Sequence, residues 1–364
     1  MRSQVLGVLP SGHHTDLSNV WADSGWEISE FQPEQLKGSA IRNSLERLRA
    51  VTKGGRLAQQ ILDWVTSSRI SALVSLDNSP EISEIWHHLE IPIFVVQHGV
   101  RATSVARRPI PISRNIHFLS WGTLQREDLE FGRTAIWPNS LHKVQPFCVE
   151  PVGSLRDSIS AQHAKGDPEP NRSSGADICL ISQFKGHAPR ELHHWKSRQS
   201  AIETVAGWTG RLAADHNLKL VIAGYGDSDS ACTQERQWLE KVVNCDFEFV
   251  SPRTITSTYR LTQSSRISVG VHSSALWEAF GRRRRILATN PIIDAPFTFP
   301  FDGMWSLVSE DYQDFRARIT QILDLSHADY LEAVGLQPER AVVVKPDESV
   351  EFRIRRYIAK ILDW

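Results

Sequence analysis

The chain is short of cysteine and methionine, nearly neutral overall, and without any long apolar run. Its four cysteines, Cys148, Cys179, Cys232 and Cys245, are scattered through 364 residues with no Cys-x-x-Cys pair. That spacing speaks against a disulfide frame or a thiolate metal site and predicts reduced thiols in a cytoplasmic protein. A formal net charge of −1 removes the basic field of a nucleic-acid binder, and the ordinary apolar fraction removes a disordered chain. No stretch approaches the ~20 apolar residues of a membrane span. The strand-like residues after Met1 and Arg2 are too few and too poorly flanked to read as a signal peptide. Nothing repeats at a period of about 20 to 50 residues, so a solenoid is excluded.

What is present is alternation. Apolar strands expected at 5–9, 71–76, 93–97, 116–120 and 147–152 are separated by helical spacing at Ile41, Leu45 and Leu48, then Leu57, Ile61 and Val65, and again at Ile82, Ile85 and Leu89. Residues 158–175 hold almost no large apolar side chain and several Pro, Gly and Ser, the composition of a linker. Beyond it the alternation restarts, with strands expected at 177–181, 218–223 and 247–250 and helices at 201–216, 235–243 and about 254–265. Such a pattern predicts parallel sheets covered by helices on both faces. The length suits two domains of roughly 150 to 180 residues. The expected organisation is a Rossmann-like domain over 1–160, a linker over 161–175 and a second Rossmann-like domain over 176–345. A basic amphipathic helix at 346–364 would either pack back on the first domain or meet an anionic membrane surface. Two tandem doubly wound α/β domains would set a ligand cleft between the carboxyl ends of their sheets.

The polar motifs fall at those strand ends. In the first half they are Gly12 to Asp16, Asp77-Asn78-Ser79, Gln97-His98-Gly99, Trp121-Gly122 and Gly153-Ser154. In the second they are Ser182-Gln183, Gly224-Tyr225-Gly226, Ser251-Pro252 and His272-Ser273-Ser274. Gly, Ser and Asn are also ordinary turn residues, so one such loop means little; nine in succession point to a functional edge.

The most informative stretch is 266–290, RISVGVHSSALWEAFGRRRRILATN, which reads as buried strand, polar turn, short helix, tight Gly and second strand. Hydroxyls at Ser273 and Ser274 can cap that helix while its free N–H groups face an anion. Glu278 lies one turn on, where a carboxylate would reach a ribose hydroxyl. The plain alternative is N-capping and an exposed helix carboxylate. The run Arg282 to Arg285 reads as a solvated cluster favourable to the helix dipole, with contact to phosphate as its second use.

The ordered series IPIFVVQHG, HFLSWG with a short acidic helix ending at Gly132, VEPVGSLRD and VGVHSSALWEAFG resembles the GT-B glycosyltransferases of bacterial surface-polysaccharide assembly. Within them it is most similar to capsule and O-antigen transferases, including the Kdo-transferase-like group, and to the glycerophosphate transferases of teichoic-acid synthesis. The resemblance implies transfer of a sugar from a nucleotide-sugar donor to a glycan or lipid-linked glycan acceptor, at the cytoplasmic side of the membrane, with no cofactor and no metal. It makes His98 the first candidate for general base or orienting group, because an imidazole titrates near neutral pH. Asp77 and Asp16 are the other catalytic candidates. His14, Gln97, Gly99 and Trp121 would face the substrate. Ser182, Gln183, His272, Ser273 and Ser274 would hold phosphate, Glu278 the ribose, and Gly224, Tyr225, Gly226, Ser251 and Pro252 the base.

Several features depart from that family. The position eight after Glu278 is Ile286, so the paired glutamates of many retaining enzymes are absent, and so is the His-Pro pair of several sialyl and Kdo transferases. Asp227-Ser228-Asp229 has the spelling of a metal-binding pair but follows a Gly-rich turn and reads as a solvated loop. Trp86, Trp121, Trp277 and Trp305 suit sugar faces, although packing is the commoner fate of an indole. Two rival functions remain: a non-hydrolysing nucleotide-sugar epimerase, and a catalytically silent binding subunit.

Overall fold

The computed structural model describes residues 5–9, 20–21, 24–31, 56–76, 89–98, 113–130, 146–165, 175–184, 193–226, 228–251, 257–293 and 298–363. Its strands are β1 (Val5–Val8), β2 (Glu27–Glu30), β3 (Ile70–Leu76), β4 (Ile93–Val96), β5 (Ile116–Ser120), β6 (Cys148–Pro151), β7 (Ile178–Ile181), β8 (Leu220–Ala223), β9 (Glu248–Val250), β10 (Ile267–Gly270), β11 (Ile286–Asn290) and β12 (Ser306–Val308). The helices are α1 (Arg56–Ser67), α2 (Leu124–Glu130), α3 (Leu155–Lys165), α4 (His193–His216), α5 (Asp229–Val243), α6 (Ser257–Ser264), α7 (Ser274–Gly281), α8 (Tyr312–Asp324), α9 (His327–Val334), α10 (Gln337–Ala341) and α11 (Val350–Leu362). The helix expected at 41–48 lies outside the described residues. So does the one at 82–89, except for Leu89. Two compact units result, Met1–Leu155 with Lys345–Trp364, and Arg156–Val344.

In the first unit six parallel strands stand in the order β2-β1-β3-β4-β5-β6. Alternate residues of each strand face opposite sides. Leu73, Ile93, Val95, Ile116 and Phe118 therefore pack with Ile61 and Val65 of α1, while Ala72, Val74, Phe94, Val96 and Leu119 pack with Val350, Ile354 and Ile358 of α11. Burial on both faces is why these strands read as continuous apolar runs. Ile354 and Ile358 are fully buried, and at about 1.5–3 kcal/mol each they commit the apolar stripe of α11 to this core. Phe352 is the large apolar side chain that this helix leaves exposed.

A phenol and an imidazole tie the same helix to the sheet. Tyr357 Oη lies 3.0 Å from Nδ1 of His117, whose ring stacks on Phe94 at 5.2 Å between centroids. Burial lowers the His117 pKa, so the ring is neutral at pH 7.

The second unit has six parallel strands in the order β12-β11-β10-β7-β8-β9. Relative to the chain, strands are added to one side of β7 and then, from β10, to the other. The switch falls between β7 and β10, which in an open α/β sheet is where ligands bind. Trp277, Phe280, Phe299, Phe301 and Trp305 form an aromatic core behind α7, with Trp277 meeting Phe301 edge-on at 5.4 Å. Trp277, Trp305 and, in the first unit, Trp121 are thus packing residues; Trp86 lies outside the described residues.

Three local expectations are corrected. The segment expected as a linker is helical through Lys165. Ser228, assigned to a solvated loop, is the N-cap of α5 and accepts the Ala231 N–H at 3.2 Å; Asp227 lies outside the described residues. The arginine run is not simply a solvated cluster: its side chains are half-buried, and Arg283, Arg284 and Arg285 donate to Gly335 O, Gln263 O and Leu325 O. Those carbonyls stand at the carboxyl ends of α9, α6 and α8, where a helix has acceptors without intrahelical partners and a negative dipole end. Arg282 pairs with Asp157 of α3 at 2.5 Å.

Candidate functional site at the strand ends of the second unit

β7 delivers Ser182 and Gln183 to the carboxyl edge, and β10 delivers His272. Gln183 is 6 % exposed. Its side-chain oxygen accepts the His272 N–H at 3.1 Å, and its Nε2 donates to the His272 carbonyl. One amide thus closes a two-bond bridge across the switch point. Ser273 follows in extended conformation as the N-cap of α7, its Oγ accepting the Ala275 N–H at 3.2 Å. His272, Ser273 and Ser274 are half-buried, at the start of an eight-residue helix.

β8 delivers Gly224, Tyr225 and Gly226. The N–H groups of Tyr225 and Gly226 both donate to the carboxylate of Glu235, at 2.9 Å to Oε2, and the Ser182 hydroxyl donates to its other oxygen. β9 leads to Ser251, whose Oγ lies 3.1 Å from Cys232 Sγ, and that thiol also donates to the Gly226 carbonyl. Every described member of the expected nucleotide-binding set therefore stands at this edge, with one exception. Pro252 lies outside the described residues.

The exception is Glu278. It is 1 % exposed and accepts the Tyr259 hydroxyl at 2.9 Å inside the unit. A ribose reaches this carboxylate only if that packing opens, so its observed role is to join α7 to α6. Burial and the neighbouring carboxylates push the Tyr259 phenol well up, which keeps it protonated as the donor.

Glu235 stands outside the set of site residues expected from the sequence. The signal was present: Glu235, Leu239 and Val243 are the buried positions of α5 at helical spacing, and a carboxylate on such a stripe needs partners. Burial raises its pKa, and the hydrogen bonds from Ser182, Tyr225 and Gly226 oppose that rise.

In the first unit the turn after β4 is braced in a similar way. Gln97, 1 % exposed, accepts the Trp121 N–H at 2.8 Å through its side chain, and its carbonyl accepts the Trp121 indole N–H at 2.9 Å. Trp121 is equally buried. Gln97 and Trp121 thus hold each other, and His98, next in the chain after Gln97, is half-buried. Asp16, His14, Asp77 and Gly99 lie outside the described residues.

No family model and no curated protein matches the chain. Solved structures do match it. A Staphylococcus aureus MnaA structure with UDP gives a TM-score of 0.59 at 11 % identity, covering 99 % of this chain and 97 % of that one. A UDP-GlcNAc 2-epimerase from Neisseria meningitidis, bound to UDP-GlcNAc, gives 0.58 at 12 % identity over 99 % of both chains. A UDP-glucose:anthocyanidin 3-O-glucosyltransferase in complex with UDP gives 0.54 at 11 % identity over 100 % and 99 %. What is shared at these identities is the fold. The chain is a two-domain α/β protein of the GT-B architecture, with two six-stranded parallel sheets. Among the described residues no helix is long and apolar enough to cross a membrane.

Proposed function

We propose that the chain is a nucleotide-sugar enzyme that binds the nucleotide on its second unit and transfers the sugar to a glycan acceptor. The observation that carries the reading is the Gln183–His272 bridge, which holds the turn at the start of α7 at the sheet's switch point. A diphosphate there would meet the positive end of the helix dipole and the Ser274 hydroxyl. Solved structures of the same fold hold UDP or UDP-GlcNAc.

In transfer the acceptor oxygen forms a bond to the anomeric carbon, the bond from that carbon to the diphosphate oxygen breaks, and the acceptor proton leaves to a base. Charge grows on the departing diphosphate. The α7 terminus is arranged to stabilise that charge without reorganising. His98 is our candidate for the base, with Asp77 and Asp16 as the carboxylates that would orient or replace it. Replacing His98 by Ala should lower turnover by about 10²-fold or more while leaving nucleotide affinity nearly unchanged.

A second reading is epimerisation of the nucleotide sugar itself, favoured by the likeness to the Neisseria enzyme over nearly the whole of both chains. Incubation with a panel of nucleotide sugars, with and without a lipid-linked glycan acceptor, separates the readings. Transfer needs the acceptor, epimerisation proceeds without it, and a silent binding subunit gives neither product.

A further inference from the structure

The turn after β8 has the Gly-x-Gly spelling of a phosphate loop, but its hydrogen bonds run the wrong way for one. In an anion-binding nest successive backbone N–H groups point at the ligand. Here the N–H groups of Tyr225 and Gly226 point at the buried carboxylate of Glu235, which also takes the Ser182 hydroxyl. A phosphate at this turn would find its donors already occupied by the Glu235 side chain.

The turn is also held from both sides. A Cβ on Gly226 would lie 2.7 Å from the Cys232 nitrogen, and one on Gly224 would lie 2.6 Å from the Phe249 ring. α5 and β9 therefore approach the backbone as closely as they can. Between these glycines Tyr225 is 47 % exposed. What the turn offers outward is an aromatic ring on a fixed stem.

We propose that Glu235 is a positioning residue that turns the loop amides away from the ligand and fixes Tyr225 as the stacking platform for the base of the bound nucleotide. The inference rests on the nucleotide reading above. Stacking uses the π face that every base possesses. The ring should therefore contribute alike to uridine, cytidine and guanosine diphosphates.

The test is calorimetric titration of the full chain with UDP, CDP and GDP, in the wild type, Tyr225→Ala, Tyr225→Phe, Glu235→Gln and the Tyr225→Ala/Glu235→Gln double variant. Tyr225→Ala should weaken all three nucleotides by the same factor, about ten-fold or more, and Tyr225→Phe should bind as the wild type does. Glu235→Gln should weaken UDP binding, and that loss should vanish in the Tyr225→Ala background. A Glu235 with a merely structural role would give additive losses. Unchanged UDP binding by Tyr225→Ala, a base-dependent loss, or additivity would overturn the proposal while leaving the nucleotide reading intact. A folded wild type that binds none of the three nucleotides would overturn both. Because Tyr225 is exposed, its variants keep the test decisive even if Glu235→Gln does not fold.

Discussion

Gln183 and His272, 89 positions apart in sequence, are joined by both polar atoms of one side-chain amide, N–H to Oε1 at 3.1 Å and Nε2 to carbonyl. They sit just beyond the carboxyl ends of neighbouring strands, at the point where the sheet changes direction. The bridge spends one buried amide to fix the turn that starts α7.

Replacing Gln183 by Leu would leave the N–H and carbonyl of His272 without these partners. The expected cost is about 1–3 kcal/mol in unfolding free energy, read by urea denaturation. UDP affinity should fall in the same variant, because the His272-Ser273-Ser274 turn loses its brace. A variant of unchanged stability would show that the bridge is incidental.

The arginine run gives the opposite pattern. Arg285→Met removes a charged donor from the Leu325 carbonyl and a cation lying 6.0 Å from the Tyr330 ring centroid. Stability should drop by about 1 kcal/mol or more, lowering the melting temperature by a few degrees, with UDP affinity within two-fold of wild type, a factor below ~0.5 kcal/mol. If calorimetry instead shows a large loss of nucleotide binding at wild-type melting temperature, the arginine is a phosphate ligand.

These two cases mark what the sequence discloses and what it withholds. Ile116–Ser120 and the central strands around it were legible because a strand buried on both faces must be apolar throughout. β2 and β12 were not, since each is a short edge strand: Glu27–Glu30 exposes both of its glutamates, and Ser306–Val308 buries only Leu307. Strand-end loops were legible as loops, from their Gly and Ser. Which atoms inside them pair was not: Gln183 reaches His272 and Glu235 reaches Ser182 only once β7, β8 and β10 lie side by side. Glu278 read as the ribose contact, with an exposed helix carboxylate as the alternative, because helical spacing gives a face without saying what covers it, and the structure buries it against Tyr259.

His117 sets a pH dependence for the first unit. Burial lowers its folded pKa below the ordinary 6.5, so the unfolded chain binds the proton more readily. By linkage, stability is full above about pH 6.5 and is lost as pH falls from there through the lowered folded value. His117→Phe removes the titrating group. Melting temperature followed from pH 7.5 to 5 should fall less steeply in the variant than in the wild type; parallel curves would mean that His117 titrates normally.

The nucleotide account is tested most directly by a crystal structure of the full chain with UDP. It predicts the diphosphate at the start of α7, within hydrogen-bonding distance of the Ser274 hydroxyl or the backbone N–H groups of 273–275, and the uracil ring against Tyr225. UDP bound on the first unit, or at the amino ends of the second unit's strands, would contradict it.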